Sequence, residues 1–191
     1  MKALLVLTTS MILVFIVIIL KLLLKIRMIN RKMKYVDEAN MWHKLAVTDN
    51  LTGTYNRNAY NLYINEVDVK KKLCGIILFD IDDFKTINDT KGHQEGDIVL
   101  KNVAKIIKEN FPGPKYNVFR MGGDEFSVLS EDVPEDEIIG RLIELKNYLI
   151  QDGNISLSKG YSIIKDDSEK AYKNADDMLY ADKLTKKSRK S

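Results

Sequence analysis

Cysteine is almost absent from this chain. A single one, Cys74, occurs among 191 residues. No internal disulfide can form, and Cys74 is expected to act as a buried packing residue. An excess of one charge is also missing. The 30 Lys and Arg against 27 Asp and Glu leave a formal net charge of +3, which carries no nucleic-acid signal. No internal repeat appears, and no low-complexity tract apart from a basic C-terminal tail, so repeat arrays are excluded. Hydrophobic residues make up an ordinary 45% of the chain, but they are unevenly spread. The length suffices for one domain with a core plus a short extra segment.

Long uncharged runs are equally rare, with one exception. Ala3 to Leu20 carries no charge and is rich in Leu, Ile and Val. As a helix it would extend about 27 Å, and Leu22 to Leu24 can prolong it past a snorkelling Lys21. No A-x-A cleavage site follows, and the run is longer than a signal-peptide core. Residues 1–24 are therefore expected to form a transmembrane helix. Lys2 alone precedes it, whereas Lys21, Lys25, Arg27, Arg31, Lys32 and Lys34 follow. By the positive-inside rule the rest of the chain lies in the cytoplasm, anchored in the inner or plasma membrane. Residues 25–47 read as a helical stalk. Ile26, Ile29, Met33 and Val36 have heptad-like spacing that suits a two-stranded coiled coil, and the pattern blurs at Asn40 and His43. About two dozen residues cannot build a sensor domain between membrane and Asp49.

Residues 48–191 form the third region. Asp49-Asn50-Leu51-Thr52-Gly53 reads as a turn and Asn56 to Lys71 as a helix. Leu73 to Phe79 is an apolar run suited to a buried central strand. It ends in Asp80-Ile81-Asp82-Asp83-Phe84-Lys85, from which a short helical stretch leads through Asn88. Ile98 to Phe111 has a helical stripe of Val99, Leu100, Val103, Ile106 and Ile107, stopped by Pro112-Gly113-Pro114. Val118 to Val128 alternates about Gly122-Gly123, as a hairpin requires. Helices are expected over Glu137–Ile150 and Ser168–Lys187, and a strand over Ile155–Ile164. The expected fold is α+β: a central, mainly antiparallel sheet flanked by helices.

Two acidic stretches carry the chemistry. Asp124 and Glu125 directly follow the glycine turn, and Asp80 closes the central strand. Neighbouring residues on a strand face opposite ways, so Asp124 and Glu125 should have different partners. Carboxylates at a strand end and beside a neighbouring hairpin turn can jointly hold a hard divalent cation, with substrate phosphates completing its shell.

The hairpin spells Gly122-Gly123-Asp124-Glu125-Phe126. Together with Asp49-Asn50-Leu51-Thr52-Gly53, Phe79 to Asp89, Gly92-His93 and Gly96-Asp97, it makes residues 48–187 resemble a diguanylate cyclase of the GGDEF family. The resemblance implies a nucleotide-cyclase, palm-like domain that condenses two GTP molecules into cyclic di-GMP and pyrophosphate, working as a homodimer with Mg²⁺ or Mn²⁺. By motif match, Asp80, Asp124 and the Ile81 carbonyl hold metal, and Glu125 is a candidate general base. Asp82 reads as structural, and Arg57 as a structural ion-pair residue. Asn88 and Asp97 match the guanine-reading pair. A carboxylate suits guanine's N1–H and N2–H₂ donors, although Asp97 can also cap a helix starting at Ile98. Backbone amides of Asp83, Phe84 and Lys85 are the implied phosphate cradle. Lys183 and Lys187, one turn apart, match two basic phosphate contacts. The family's inhibitory Arg-x-x-Asp is missing, since Gly113-Pro114-Lys115-Tyr116 stands in its place. Lys159 replaces a usually aliphatic residue and is expected to face solvent or a partner. A non-catalytic GTP-binding scaffold is the alternative.

Overall fold

The computed structural model describes residues 18–35, 46–70, 74–152, 155–165 and 167–190. Two compact units divide the chain, residues 1–44 and 45–191. In the first, residues 18–35 form helix α1, with apolar side chains exposed from Ile18 to Met33. Among the described residues no helix is long and apolar enough to cross a membrane. Most of the span expected from Ala3 to Leu20 lies outside them, as do stalk residues 36–45.

The second unit runs β1 (Tyr55–Asn56), α2 (Arg57–Lys70), β2 (Cys74–Ile81), α3 (Phe84–Lys91), α4 (His93–Asn110), β3 (Tyr116–Gly122), β4 (Glu125–Glu131), α5 (Glu135–Asp152), β5 (Leu157–Ile164), α6 (Ser168–Lys190). Five strands form one sheet in the order β1-β3-β4-β2-β5. β2 pairs antiparallel with both β4 and β5, and β3 with β4. The sheet is mixed: three of its four pairings are antiparallel, and the fourth, which was not expected, runs β1 parallel to β3. Tyr55–Asn56 was hidden by its brevity and by the helix that follows. Asn56 serves both elements. Its backbone pairs with Arg120, while its side-chain oxygen accepts the Ala59 N–H at 3.0 Å and caps α2.

All eight residues of β2 are buried, because both sheet faces are covered. Ile77, Phe79 and Ile81 face α4 and α5, in a core with Val103, Ile107, Phe111, Ile138 and Leu145. Cys74, Ile76 and Leu78 face α2 and α6, with Tyr60, Phe119, Ala175 and Leu179. Cys74 is buried, as its position predicts. Part-buried polar ties join the layers. Tyr116 Oη donates to Glu137 at 2.9 Å, and Arg141 donates to Tyr116 Oη at 2.9 Å and to the Asn110 carbonyl at 3.0 Å. Gly160 lets α6 lie directly on β5, since a Cβ there would drive into the Ala175 carbonyl and the Leu179 amide. That close approach fixes where the C-terminal half of α6 passes over the end of β2.

Candidate active site

Asp80 is the penultimate residue of β2 and one of few buried charged groups, 8% exposed. The strand period of two puts it on the same face as Cys74, Ile76 and Leu78, which α6 covers. Lys183 of α6 reaches it, with Nζ 2.6 Å from Oδ2. Glu125 stands directly opposite on β4 in the ladder, so the two carboxylates share a face. Burial pushes the Asp80 carboxyl above its usual value, and the Asp124 charge adds to the rise against the opposing pull of Lys183. Burial likewise raises Glu125, helped by the charges of Asp80 and Asp124 and opposed by Lys183 and Arg57. The second acid of the hairpin is therefore held closer to neutrality than a free carboxylate.

Asp124 sits in the turn before β4. It lines one cleft of about 310 Å³ together with Asp80, Ile81, Asp83, Phe84, Lys85, Lys183 and Lys187. The structure thus gathers around one opening both candidate metal acids, the turn proposed to cradle phosphate and the two matched lysines. Glu125 flanks this cleft from the neighbouring ladder position. Among the described residues no group of three or more His, Cys, Asp or Glu side chains could hold a metal ion. Two carboxylates on one cleft, one of them buried and destabilised by the other's charge, nonetheless fit a magnesium ion. Such an ion takes one or two carboxylates and leaves its other positions to phosphates and water.

The turn after β2 is braced from beneath. Asp82 accepts hydrogen bonds from Ser156 Oγ and Ser158 Oγ, each at 2.5 Å, and from Lys186 Nζ at 2.9 Å. Burial opposes its charge, but these three donors outweigh burial and hold the carboxyl below its usual value. Asp82 is structural, as expected. Lys186 also donates to the Leu157 carbonyl and to Ser158 Oγ, and pairs with Asp182 at 3.4 Å. It ties β2, β5 and α6 together at one point. Next, Asp83 adopts a left-handed backbone, φ 59° and ψ 24°, as the residue before α3. A non-glycine residue held there is strained by about 1–3 kcal/mol, and the Asp82 anchor holds the turn in that shape.

Asn88 of α3 is half-buried and Asp97 of α4 is exposed. A Cβ on Gly96 would run into the Asn88 side-chain amide, so the glycine lets α4 approach α3 closely at Asn88; neither Asn88 nor Asp97 is among the residues lining the cleft. Helix α4 begins at His93, not at Ile98. Asp97 lies inside it, which removes the capping role that was open for this residue.

Two further residues brace the site. Arg120 donates to the Gly123 carbonyl at 2.8 Å and pairs with Asp49 at 3.3 Å. It thereby fastens the glycine turn to the 49–53 turn, where Asp49 accepts the Thr52 N–H at 2.9 Å. The signal was an arginine among the apolar residues of β3. Lys186 belongs to the basic tail in the sequence, and its partners on β2 and β5 are 28 to 104 residues away. Lys159, expected to face solvent or a partner, is half-buried and lines a different cleft, with Nζ 3.3 Å from the Leu142 carbonyl.

A family model described as "Diguanylate cyclase, GGDEF domain" matches residues 46–189. An uncharacterized membrane protein of Staphylococcus epidermidis is 34% identical over 71% of this chain and 42% of its own length. One from Staphylococcus aureus is 33% identical over the same shares. The chain therefore spans less than half the length of the curated relatives it matches. Among solved structures, the coiled coil and GGDEF domain of DgcB from Caulobacter crescentus, in complex with c-di-GMP, superposes with a TM-score of 0.74. Its identity is 26%, covering 81% of this chain and 90% of that one. A sensory box/GGDEF family protein from Caulobacter crescentus gives 0.58 at 31% identity, covering 73% and 99%. The fold, the cleft and these matches agree: the chain belongs to the GGDEF diguanylate cyclase family.

Proposed function

We propose that this chain is an active, membrane-anchored diguanylate cyclase that condenses two GTP molecules into cyclic di-GMP. The observation that carries the reading is the meeting of Asp80, Asp124 and Lys183 at one cleft beside the strained turn at Asp83. Asp80, Asp124 and the Ile81 carbonyl would hold Mg²⁺ or Mn²⁺. When bound, the metal neutralises triphosphate charge and acidifies the attacking hydroxyl.

The chain's own residues do the positioning. Amides of Asp83, Phe84 and Lys85 receive the β- and γ-phosphates at the start of α3, with Lys183 and Lys187 opposite. Asn88 and Asp97 read the guanine edge, the carboxylate accepting the donor pair that adenine lacks. The 3′-oxygen of each GTP forms a bond to the α-phosphorus of the other, and at each α-phosphorus the bond to pyrophosphate breaks, so two pyrophosphates leave. Glu125 takes the hydroxyl proton, a role suited to its raised pKa. Each protomer holds one GTP, so two must face each other for the reaction. The charge asymmetry around Ala3–Leu20, with relatives named as membrane proteins, supports a single-pass anchor with the domain in the cytoplasm.

The test is incubation of the purified chain with GTP and Mg²⁺ across protein concentration. Cyclic di-GMP should form at a rate that rises more steeply than linearly with protein, and Asp124→Ala should abolish it. Bound GTP without product at high concentration would instead make the domain a nucleotide-binding scaffold.

A further inference from the structure

A second cleft lies outside the candidate active site. It measures about 950 Å³ and opens between α5, β5 and α6. Ile139, Leu142 and Ile143 of α5 and Met178 of α6 form apolar walls, and Ile143 and Met178 are 54% and 46% exposed. Asp82 and Lys186 line both this cleft and the one described above.

The polar groups of this cleft are not balanced. Its two acids are engaged: Asp82 by Ser156, Ser158 and Lys186, and Asp182 by the Lys159 N–H at 3.1 Å and by Lys186. Among the described residues its other cations form no ion pair. Lys159 projects from β5 with one acceptor for three ammonium protons among the described residues, the Leu142 carbonyl at 3.3 Å. Lys146 and Arg189 also line the cleft. Burial lowers the Lys159 pKa, the Asp182 charge opposes the fall, and the neighbouring Lys186 and Lys146 charges add to it; among the described residues no ion pair joins Lys159 to a carboxylate. An ammonium half-withdrawn from water gains most from an anionic acceptor in the same apolar surroundings.

We propose that this cleft is a binding site for a small organic anion, an apolar body bearing one carboxylate, with Lys159 receiving the carboxylate and the α5–α6 walls receiving the body. Charge complementarity selects the occupant. A neutral apolar molecule would leave the Lys159 ammonium unpaired, and a bare inorganic anion would leave the walls wet.

The inference stands apart from the cyclase reading, because binding is measured without turnover. The full chain in lipid nanodiscs, with empty nanodiscs as the blank, is titrated by equilibrium dialysis with 2-naphthoate and separately with neutral 2-naphthamide. Saturable one-to-one binding of naphthoate is expected, with a dissociation constant on the order of 1 mM or tighter for a ligand of this size. Naphthamide should bind at least tenfold more weakly, and Lys159→Met should weaken naphthoate at least tenfold. GTP should not compete for the site. Equal binding of acid and amide, unchanged affinity in the variant, displacement by GTP, or no saturable binding up to 10 mM would each overturn the proposal. The acid–amide comparison uses the natural chain and so holds even if the variant folds poorly.

Discussion

Replacing Glu125 by Gln should make the protein more stable while abolishing turnover. Glu125 and Asp80 are directly opposed across the β2–β4 ladder, where like charges repel. Two unit charges about 4 Å apart interact by about 1 kcal/mol in water and about 4 kcal/mol at an effective dielectric near 20. Glu125 is exposed at the strand end, so the weak end applies, and relief of about 0.5–1 kcal/mol is expected. For a chain of this size that raises Tm by about 1–4 °C. The pH dependence gives the sign. Both carboxyls have raised pKa values in the fold, so the native state holds protons more tightly than the unfolded one. The repulsive cost is absent below the unfolded values, 3.8 for Asp80 and 4.5 for Glu125. It grows as pH rises through the folded ones. Calorimetry in magnesium-free buffer should therefore show the variant's advantage at pH 7.5 and its loss towards pH 4. An unchanged or lower Tm at pH 7.5, or an advantage independent of pH, would refute the claim that these acids strain one another.

The other predictions concern the frame around the cleft. Lys186→Met removes the shared donor to Asp82, Ser158 and Leu157; it should cost about 1–2 kcal/mol in urea unfolding after allowance for partial exposure. It should also weaken GTP binding, and Lys186→Arg should restore part of each. Asp82→Asn should flatten the acid limb of stability, because Asp82 has a lowered folded pKa: its contribution is present above the unfolded value of 3.8 and lost as pH falls through the folded one. Gly160→Ala should destabilise by about 1–3 kcal/mol or more through collision with α6 backbone, read as a lower urea midpoint. Lys183→Met should raise KM for GTP, measured by initial rates, because it removes the lysine nearest Asp80.

Much of the site was legible because its residues are close in sequence and have few structural substitutes. Asp80, Asp82, Asp83 and Lys85 fall within one strand end and turn, and Gly122 to Glu125 within another. Their spacing alone put acids beside a glycine turn and at the end of a buried strand. What the spacing could not supply was the partner of each acid. That Asp80 faces Glu125 and Lys183, while Asp82 faces Ser156, Ser158 and Lys186, follows from ladder register and from the path of α6.

Local properties belong to the sequence itself: the apolar run of β2, the stripe of α4, the stop at Pro112-Gly113-Pro114 and the acidic turns. Each depends on side chains only a few residues apart, so periodicity and turn chemistry suffice. Long-range choices belong to the tertiary structure. The parallel pairing of Tyr55–Asn56 with β3, the Asp49–Arg120 tie across 71 residues and the withdrawal of Lys159 from water arise only once helices close over both faces of the sheet. Burial and distance between remote residues set those energies, and neither quantity exists in an unfolded chain.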